Sequence, residues 1–169
     1  MKISRGEDNF VTLPAFAAKL YDSMMQSSAT KMQYKEIAQD LVSLMHSGRL
    51  LDVGTGPGYL LREIHKLNPE IELHGIDISN AMVEQASRNL ADITVDLQCG
   101  NIKATNYKSD FFDLVTCSGS FYLWDDPIDS LEEIYRILKL GGAAYLYETH
   151  RDINKQELWQ KMRENLKGD

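Results

Sequence analysis

The run Leu50-Leu51-Asp52-Val53-Gly54-Thr55-Gly56-Pro57-Gly58-Tyr59 constrains this chain more than any other stretch. A short apolar segment ends in a turn with glycine at every second position, and helix-forming residues follow. Glycine admits positive φ and lets backbone N–H groups come close to a ligand. At the start of a helix those groups also lie at the positive end of its dipole. Strand, glycine turn and helix in that order open a parallel α/β sheet. The turn suits a nucleoside-like cofactor. It also serves as a plain strand-to-helix connection, and the rest of the chain has to decide between the two.

The pattern that follows keeps alternating. Helices are predicted over Leu13–Ser27, with Pro14 in the first turn, and over Lys31–His46, with Ile37, Leu41, Leu44 and Met45 on one side. Then come strand Leu50–Val53, a helix from Gly58 to Leu67, and strand Ile71–Ile76 ending at Asp77. Ser79 is a suitable N-cap for a helix over Asn80–Leu90. Strands Ile93–Cys99 and Phe111–Cys117 follow, then a helix over Ile128–Leu138 begun near Pro127 and stopped by Gly141-Gly142. Strand Ala143–Thr149 and a helix over Asn154–Leu166 complete the chain. Strands alternating with helices at these lengths imply a doubly wound, mainly parallel sheet covered on both faces. Its ligand crevice lies at the carboxyl ends of the strands, where strand order reverses.

The 169 residues suffice for one domain: N-terminal helices or a lid over 1–47, a cofactor-binding core over 48–150 and a C-terminal helix over 151–169. Eighteen basic against 25 acidic residues give a net charge of −7, which argues against nucleic acid as a partner. No apolar run reaches the roughly 18–20 residues that span a bilayer, and the charged start, Met1 to Phe10, lacks a signal core. No membrane association and a cytoplasmic location are expected. Cys99 and Cys117 lack metal-ligand spacing, so both read as buried thiols in a reducing compartment, and no metal is expected.

Asp77 ends the second strand about twenty residues after the turn, where a ribose-binding acid belongs. It also serves as an acid at the start of the next helix. The turn reads GxGxG rather than the dinucleotide GxGxxG, which argues against a nicotinamide-dependent oxidoreductase.

Leu51-Asp52-Val53-Gly54-Thr55-Gly56-Pro57-Gly58 resembles the first motif of class I S-adenosylmethionine-dependent methyltransferases. His74-Gly75-Ile76-Asp77-Ile78-Ser79 is similar to their acidic site, Phe112-Asp113-Leu114-Val115 to their fourth strand, and Leu138-Lys139-Leu140-Gly141-Gly142 to the turn before their fifth. Phe121-Tyr122-Leu123-Trp124-Asp125-Asp126-Pro127 resembles small-molecule members, including quinone methyltransferases. The likeness runs from about Tyr21 to Thr149 with the motifs in family order.

The resemblance implies a Rossmann-like sheet of strand order 3-2-1-4-5, S-adenosyl-L-methionine as cofactor and a small-molecule methyl acceptor. Gly54, Gly56 and Gly58 would pack the methionine moiety, with Asp52 near its ammonium. Asp77 would take the ribose hydroxyls, Ile78 would cover the adenine, Asn101 and Ile102 would sit at its edge, and Ser118 would approach the methionine end. Asn101 departs from the acid common in the family and also reads as a plain turn residue.

Methyl transfer needs alignment more than covalent help, and a base only where the acceptor must lose a proton. His150 and Tyr122 are the candidates; His150 also reads as a surface histidine, and neither His65 nor His74 has an evident partner. Tyr122, Trp124 and Asp125 follow the fourth strand, near the acceptor's entry, although Trp124 is equally suited to pack on Pro127. Met24-Met25, Met32 and Met45 suit an apolar lid or the core, and Tyr21-Asp22 resembles a segment that closes over the cofactor. The family's sixth and seventh strands are expected to be missing. That would leave the fifth strand as an edge that the C-terminal helix covers or a second copy docks on, or leave a binding module without catalysis.

Overall fold

A computed structural model of the chain describes residues 27–148. Helix α1 (Ser28–Leu44) precedes β1 (Gly48–Val53), α2 (Tyr59–Leu67), β2 (Ile71–Asp77), α3 (Asn80–Asn89) and β3 (Val95–Cys99). A polar stretch leads to β4 (Phe112–Ser118), a single 3-10 turn (Phe121–Leu123), α4 (Pro127–Ile137) and β5 (Leu138–Tyr147). The five strands form one parallel sheet in the order β3-β2-β1-β4-β5, the predicted arrangement. Strand order reverses at β1, which pairs with β2 on one side and β4 on the other. The predicted helix Leu13–Ser27, apart from Ser27, lies outside the described residues, as do Tyr21-Asp22, Met24-Met25, His150 and Asn154–Leu166. Ser27 caps α1, its Oγ accepting from Thr30 N at 3.3 Å.

Side chains alternate across each strand, so neighbouring residues serve opposite layers. Leu50, Leu73 and Leu114 pack with Ile37, Leu41, Leu61 and Ile64 of the layer built from α1, α2 and α3. Leu51, Val53, Ile76, Val115 and Cys117 pack with Ile134 and Ile137 of α4. Each fully buried side chain of this size contributes roughly 1.5–3 kcal/mol, and both faces of β1 are occupied. His74, without an evident partner in sequence, is buried in β2. Its Nδ1 lies 3.1 Å from Asp96 Oδ2 and its Nε2 3.1 Å from Glu72 Oε1.

Several local expectations need correction. Leu44 is exposed, because Ala38 and Met45 complete the apolar face that Ile37 and Leu41 begin. Cys99 is exposed and Cys117 alone is buried, since β3 is a sheet edge among the described residues. Met45 belongs to the core and Met32 is exposed, so the two do not form a common lid. Ser79 makes no side-chain cap; its N–H donates instead to Asp77 Oδ1 at 2.8 Å. Gly141-Gly142 does not separate helix from strand. α4 ends at Ile137, β5 begins at once, and the two glycines sit in an irregular stretch of the β4–β5 ladder.

Gly58 begins α2 with φ +83, and a Cβ there would lie 2.6 Å from Leu90 Cδ1. The close approach of α2 to α3 therefore needs this glycine. Gly58→Ala is expected to cost about 1–3 kcal/mol through strain and overpacking. A lower urea midpoint at unchanged slope would show it.

Candidate cofactor site

A hollow of about 300 Å³ opens at the carboxyl ends of β1, β2 and β4, a size suited to a small ligand. The β1 turn supplies Gly54 to Pro57, and β2 with its following turn supplies Asp77, Ile78 and Ser79. Asn101 and Ile102 line it beyond β3, as do Ser118 at the end of β4 and Gly119 and Ser120 after it. Gly54 has φ +71, and a Cβ there would overlap Ser120 Oγ. Ser120 Oγ in turn donates to Val53 O at 3.1 Å, which ties the β4 loop to the β1 turn.

The turn's N–H groups are already engaged. Gly54 N and Thr55 N donate to Ile76 O at 2.8 and 3.1 Å, and Gly58 N donates to Thr55 O at 3.0 Å. Gly56 N donates to Asp77 Oδ2 at 2.9 Å. The expectation that these donors face a ligand is therefore corrected: the glycines provide room for one. This matters chemically. A pyrophosphate needs free N–H groups at a helix start, whereas a cationic ligand needs carboxylates.

Carboxylates are present. Asp77 borders the hollow, and each of its oxygens accepts one backbone bond, from Gly56 N and Ser79 N. Burial raises its pKa, and those two bonds oppose the rise. A carboxylate oxygen has capacity for a second donor, so Asp77 can still accept from two hydroxyls. Asp52 is only 2% exposed and does not border the hollow. Burial pushes its carboxyl up to about 7, and the charge of Asp77 adds to the rise. The Thr55 hydroxyl opposes it, although it does not meet Asp52 in full hydrogen-bond geometry: Thr55 Oγ1 is buried without a partner.

Seven of the nine sequence-assigned residues border one space: Gly54, Gly56, Asp77, Ile78, Asn101, Ile102 and Ser118. Gly58 does not, since it faces Leu90 and Ala86. Asn101 Oδ1 accepts from Lys103 N at 3.0 Å, so the turn role is real even though the residue lines the hollow. Tyr122, Leu123 and Trp124 form the outer wall, with Tyr122 73% exposed. Trp124 stands edge-on to Phe121 at 5.0 Å between ring centroids. His65 lies in α2, away from the hollow. Tyr34 and Met82, on α1 and α3, line the hollow without any local signal in the sequence.

The outer wall is held from β5. Glu148 Oε1 accepts from Phe121 N at 2.8 Å, and Gly119 N donates to Tyr147 O at 2.8 Å. Glu148→Ala should cost about 1 kcal/mol of local stability and free the loop. Chymotrypsin is expected to cut faster at Phe121–Trp124, and Glu148→Gln, which keeps an acceptor, should restore most of the protection.

Comparison with known proteins decides what kind of hollow this is. A family model described as a methyltransferase domain matches residues 51–146, more than half of the chain. The chain belongs to the methyltransferase-domain family.

Among relatives of this methyltransferase-family chain is an uncharacterized methyltransferase, YdaC of Bacillus subtilis, 37% identical over 105 residues, which covers 62% of this chain and 58% of that protein. Another is the chloroplastic 2-methyl-6-phytyl-1,4-hydroquinone methyltransferase 1 of Oryza sativa, 31% identical over 134 residues, 78% of this chain and 40% of that one. The chain thus spans only part of these relatives. The crystal structure of an S-adenosyl-L-methionine-dependent methyltransferase from Methanococcus maripaludis matches with a TM-score of 0.75 at 25% identity, over 98% of this chain and 76% of that one. S-adenosyl-L-methionine is the family's cofactor, and the site fits it: Asp77 on its lining with Asp52 buried outside it, backbone N–H groups of the turn already engaged, and a largely apolar wall.

Proposed function

We propose that this chain transfers a methyl group from S-adenosyl-L-methionine to a small, largely apolar acceptor. The observation that carries this is the continuity of the hollow with a wall of exposed Tyr122 and Leu123 and half-buried Trp124, which offers an acceptor an apolar surface beside the cofactor space. Asp77 would hold the ribose hydroxyls, Ile78 and Ile102 would flank the adenine, and Asn101 would meet its edge. Gly54, Gly56 and Ser118 would make room for the methionine end, and Asp52 would favour its cationic groups from beneath the turn.

The cofactor supplies an activated methyl on a positive sulfur; the chain supplies binding, orientation and exclusion of water. Among the described residues lining the hollow, the titratable side chains are Asp77, Tyr34 and Tyr122. Tyr122 remains the candidate base there, and His150 lies outside the described residues. An apolar acceptor suits this wall, and the hydroquinone named for the rice relative is of that kind, its ring becoming strongly nucleophilic once a phenol loses its proton. Transfer would break the sulfur–methyl bond as the acceptor–methyl bond forms, with S-adenosyl-L-homocysteine as the leaving group and the acceptor's proton passing to solvent.

A screen of hydroquinones and other small acceptors with methyl-labelled cofactor tests this, with an active relative as positive control. Label transfer to one class supports the reading. A protein that binds S-adenosyl-L-homocysteine yet labels nothing across the panel would be a binding module. A nicotinamide cofactor is the weaker alternative, and a thermal shift with NAD rather than S-adenosyl-L-homocysteine would establish it. At 100 times its dissociation constant, the ligand that fits should add about 2.7 kcal/mol. A cytoplasmic location and a homodimer through the β5 edge belong to the same proposal. Among the described residues no helix is long and apolar enough to cross a membrane.

A further inference from the structure

Residues 100–111 join β3 to β4 and carry Asn101 and Ile102 onto the lining of the hollow. The segment has no strand or helix of its own, so its polar groups have to find other partners. Its start is fixed from the sheet: Gly100 N donates to Asp77 O at 3.0 Å, and Ile102 is buried in one cluster with Ile76 and Ile134. A turn follows, in which Lys103 N donates to Asn101 Oδ1 at 3.0 Å and Ala104 N to Asn101 O at 3.2 Å. The far end of that turn is fixed from α4. Glu133 Oε1 accepts from Thr105 N at 2.8 Å and from Thr105 Oγ1 at 2.6 Å. Arg136, next along the same face of α4, donates to the two oxygens of Glu133 at 2.6 and 2.7 Å, and through Nη2 to Tyr107 O at 2.9 Å. The Glu133 side chain is only 11% exposed. The Arg136 guanidinium holds its carboxyl down at about 2 despite burial, and the bonds from Thr105 add to the effect. Thr105 and Tyr107 belong to the loop, and Glu133 does not border the hollow. This flank of α4 therefore places a loop, while Ile134 and Ile137 attach the helix to the sheet.

We propose that Glu133 is a positioning residue that sets this chain's preference for adenine, by holding through Thr105 the turn that carries Asn101 and Ile102. The inference rests on the cofactor reading above and concerns one end of the same hollow. Adenine presents an amino donor at its edge, where hypoxanthine has a carbonyl acceptor. Asn101 by itself does not enforce the choice, because an amide offers both an acceptor and two donors and pairs with either base if it is free to turn. The bond from Lys103 N fixes which end of the amide is which, and that bond lasts only while the turn keeps its shape. A fixed polar edge rejects the wrong pattern, since its groups are left unpaired; a loose one adapts to both.

Calorimetry with S-adenosyl-L-homocysteine and S-inosyl-L-homocysteine, which differ only at that edge, tests the assignment. The unaltered chain should prefer the adenosyl compound by at least about thirtyfold, and Glu133→Ala should cut that preference by at least about tenfold. Glu133→Gln keeps an acceptor for Thr105 and should retain most of the preference, although it loses the charge that faces Arg136. Lower stability alone reduces the folded fraction for both ligands alike and leaves their ratio unchanged, so the ratio separates positioning from support of the fold. An unchanged ratio in Glu133→Ala overturns the proposal. If that variant does not fold, Thr105→Val, which loses the hydroxyl and keeps the N–H bond, decides: the ratio should fall by about threefold or more, and an unchanged ratio overturns the proposal. Equal binding of both compounds by the unaltered chain overturns it and leaves the cofactor reading standing, whereas binding of neither overturns both.

Discussion

Asp77→Ala is expected to weaken binding of S-adenosyl-L-homocysteine by about 2–4 kcal/mol, or roughly 30- to 900-fold. Charge-assisted bonds to ribose hydroxyls, each worth about 1.5–3 kcal/mol where water is excluded, account for the loss, less what water regains in the emptied site of the variant. The side chain also holds Gly56 N and Ser79 N, so its removal loosens the very turn that makes room for the ligand. Asp77→Asn keeps one of the two acceptor oxygens, loses the charge and sets an amide donor against the other backbone N–H, so it should fall between wild type and alanine in affinity and also unfold below the wild-type midpoint. Calorimetry at neutral pH gives the affinities, and chemical denaturation gives the stability. A folded alanine variant with wild-type affinity would place the ribose elsewhere.

Asp52→Asn should reverse the usual expectation for removing an acid: it should stabilise the protein at alkaline pH. The carboxyl titrates near 3.8 in the unfolded chain and at about 7 in the folded one. The folded state therefore holds the proton more tightly. Stability associated with that proton is fully present below about pH 4 and is lost as pH rises towards 7. A difference of this size between folded and unfolded chain corresponds to about 4 kcal/mol, and the group is buried, so solvent does not screen the cost. Asparagine resembles the neutral acid, so the variant should be flat across this window and more stable than wild type above it. Urea denaturation at pH 5, 6 and 8 reads the difference directly, and parallel curves for the two proteins would contradict it. The same substitution should weaken cofactor binding, because Asp52 supplies negative charge beneath a site for a cation. A destabilising group kept for binding is a familiar trade between stability and function.

Much of this was readable from local patterns. Val53-Gly54-Thr55-Gly56 announced a turn because glycine at alternate positions has few other uses. Asp77 at the end of the next strand announced a ligand acid because a parallel sheet brings consecutive strand ends together. Other features had no local trace. Tyr34 and Met82 reach the hollow from helices whose apolar residues otherwise read as core. Gly58 looked like part of the ligand turn, yet it faces Leu90, 32 residues on, because α2 and α3 pack closely there. Ser120 and Glu148 gain their roles only because β4 and β5 are neighbours, which sets a serine hydroxyl against Val53 O and a carboxylate against Phe121 N.

Short-range chemistry settled the alternation of strand and helix, the strand-end position of the glycine turn and of Asp77, and through them the family. Those signals need only residues adjacent along the chain. Which donors in the turn remain free, how strongly Asp52 holds its proton and what walls the hollow were settled by the packed molecule alone. Each depends on the distance between groups far apart in sequence, such as Gly56 N and the Asp77 carboxylate, and on how completely the sheet and its helices exclude water around them.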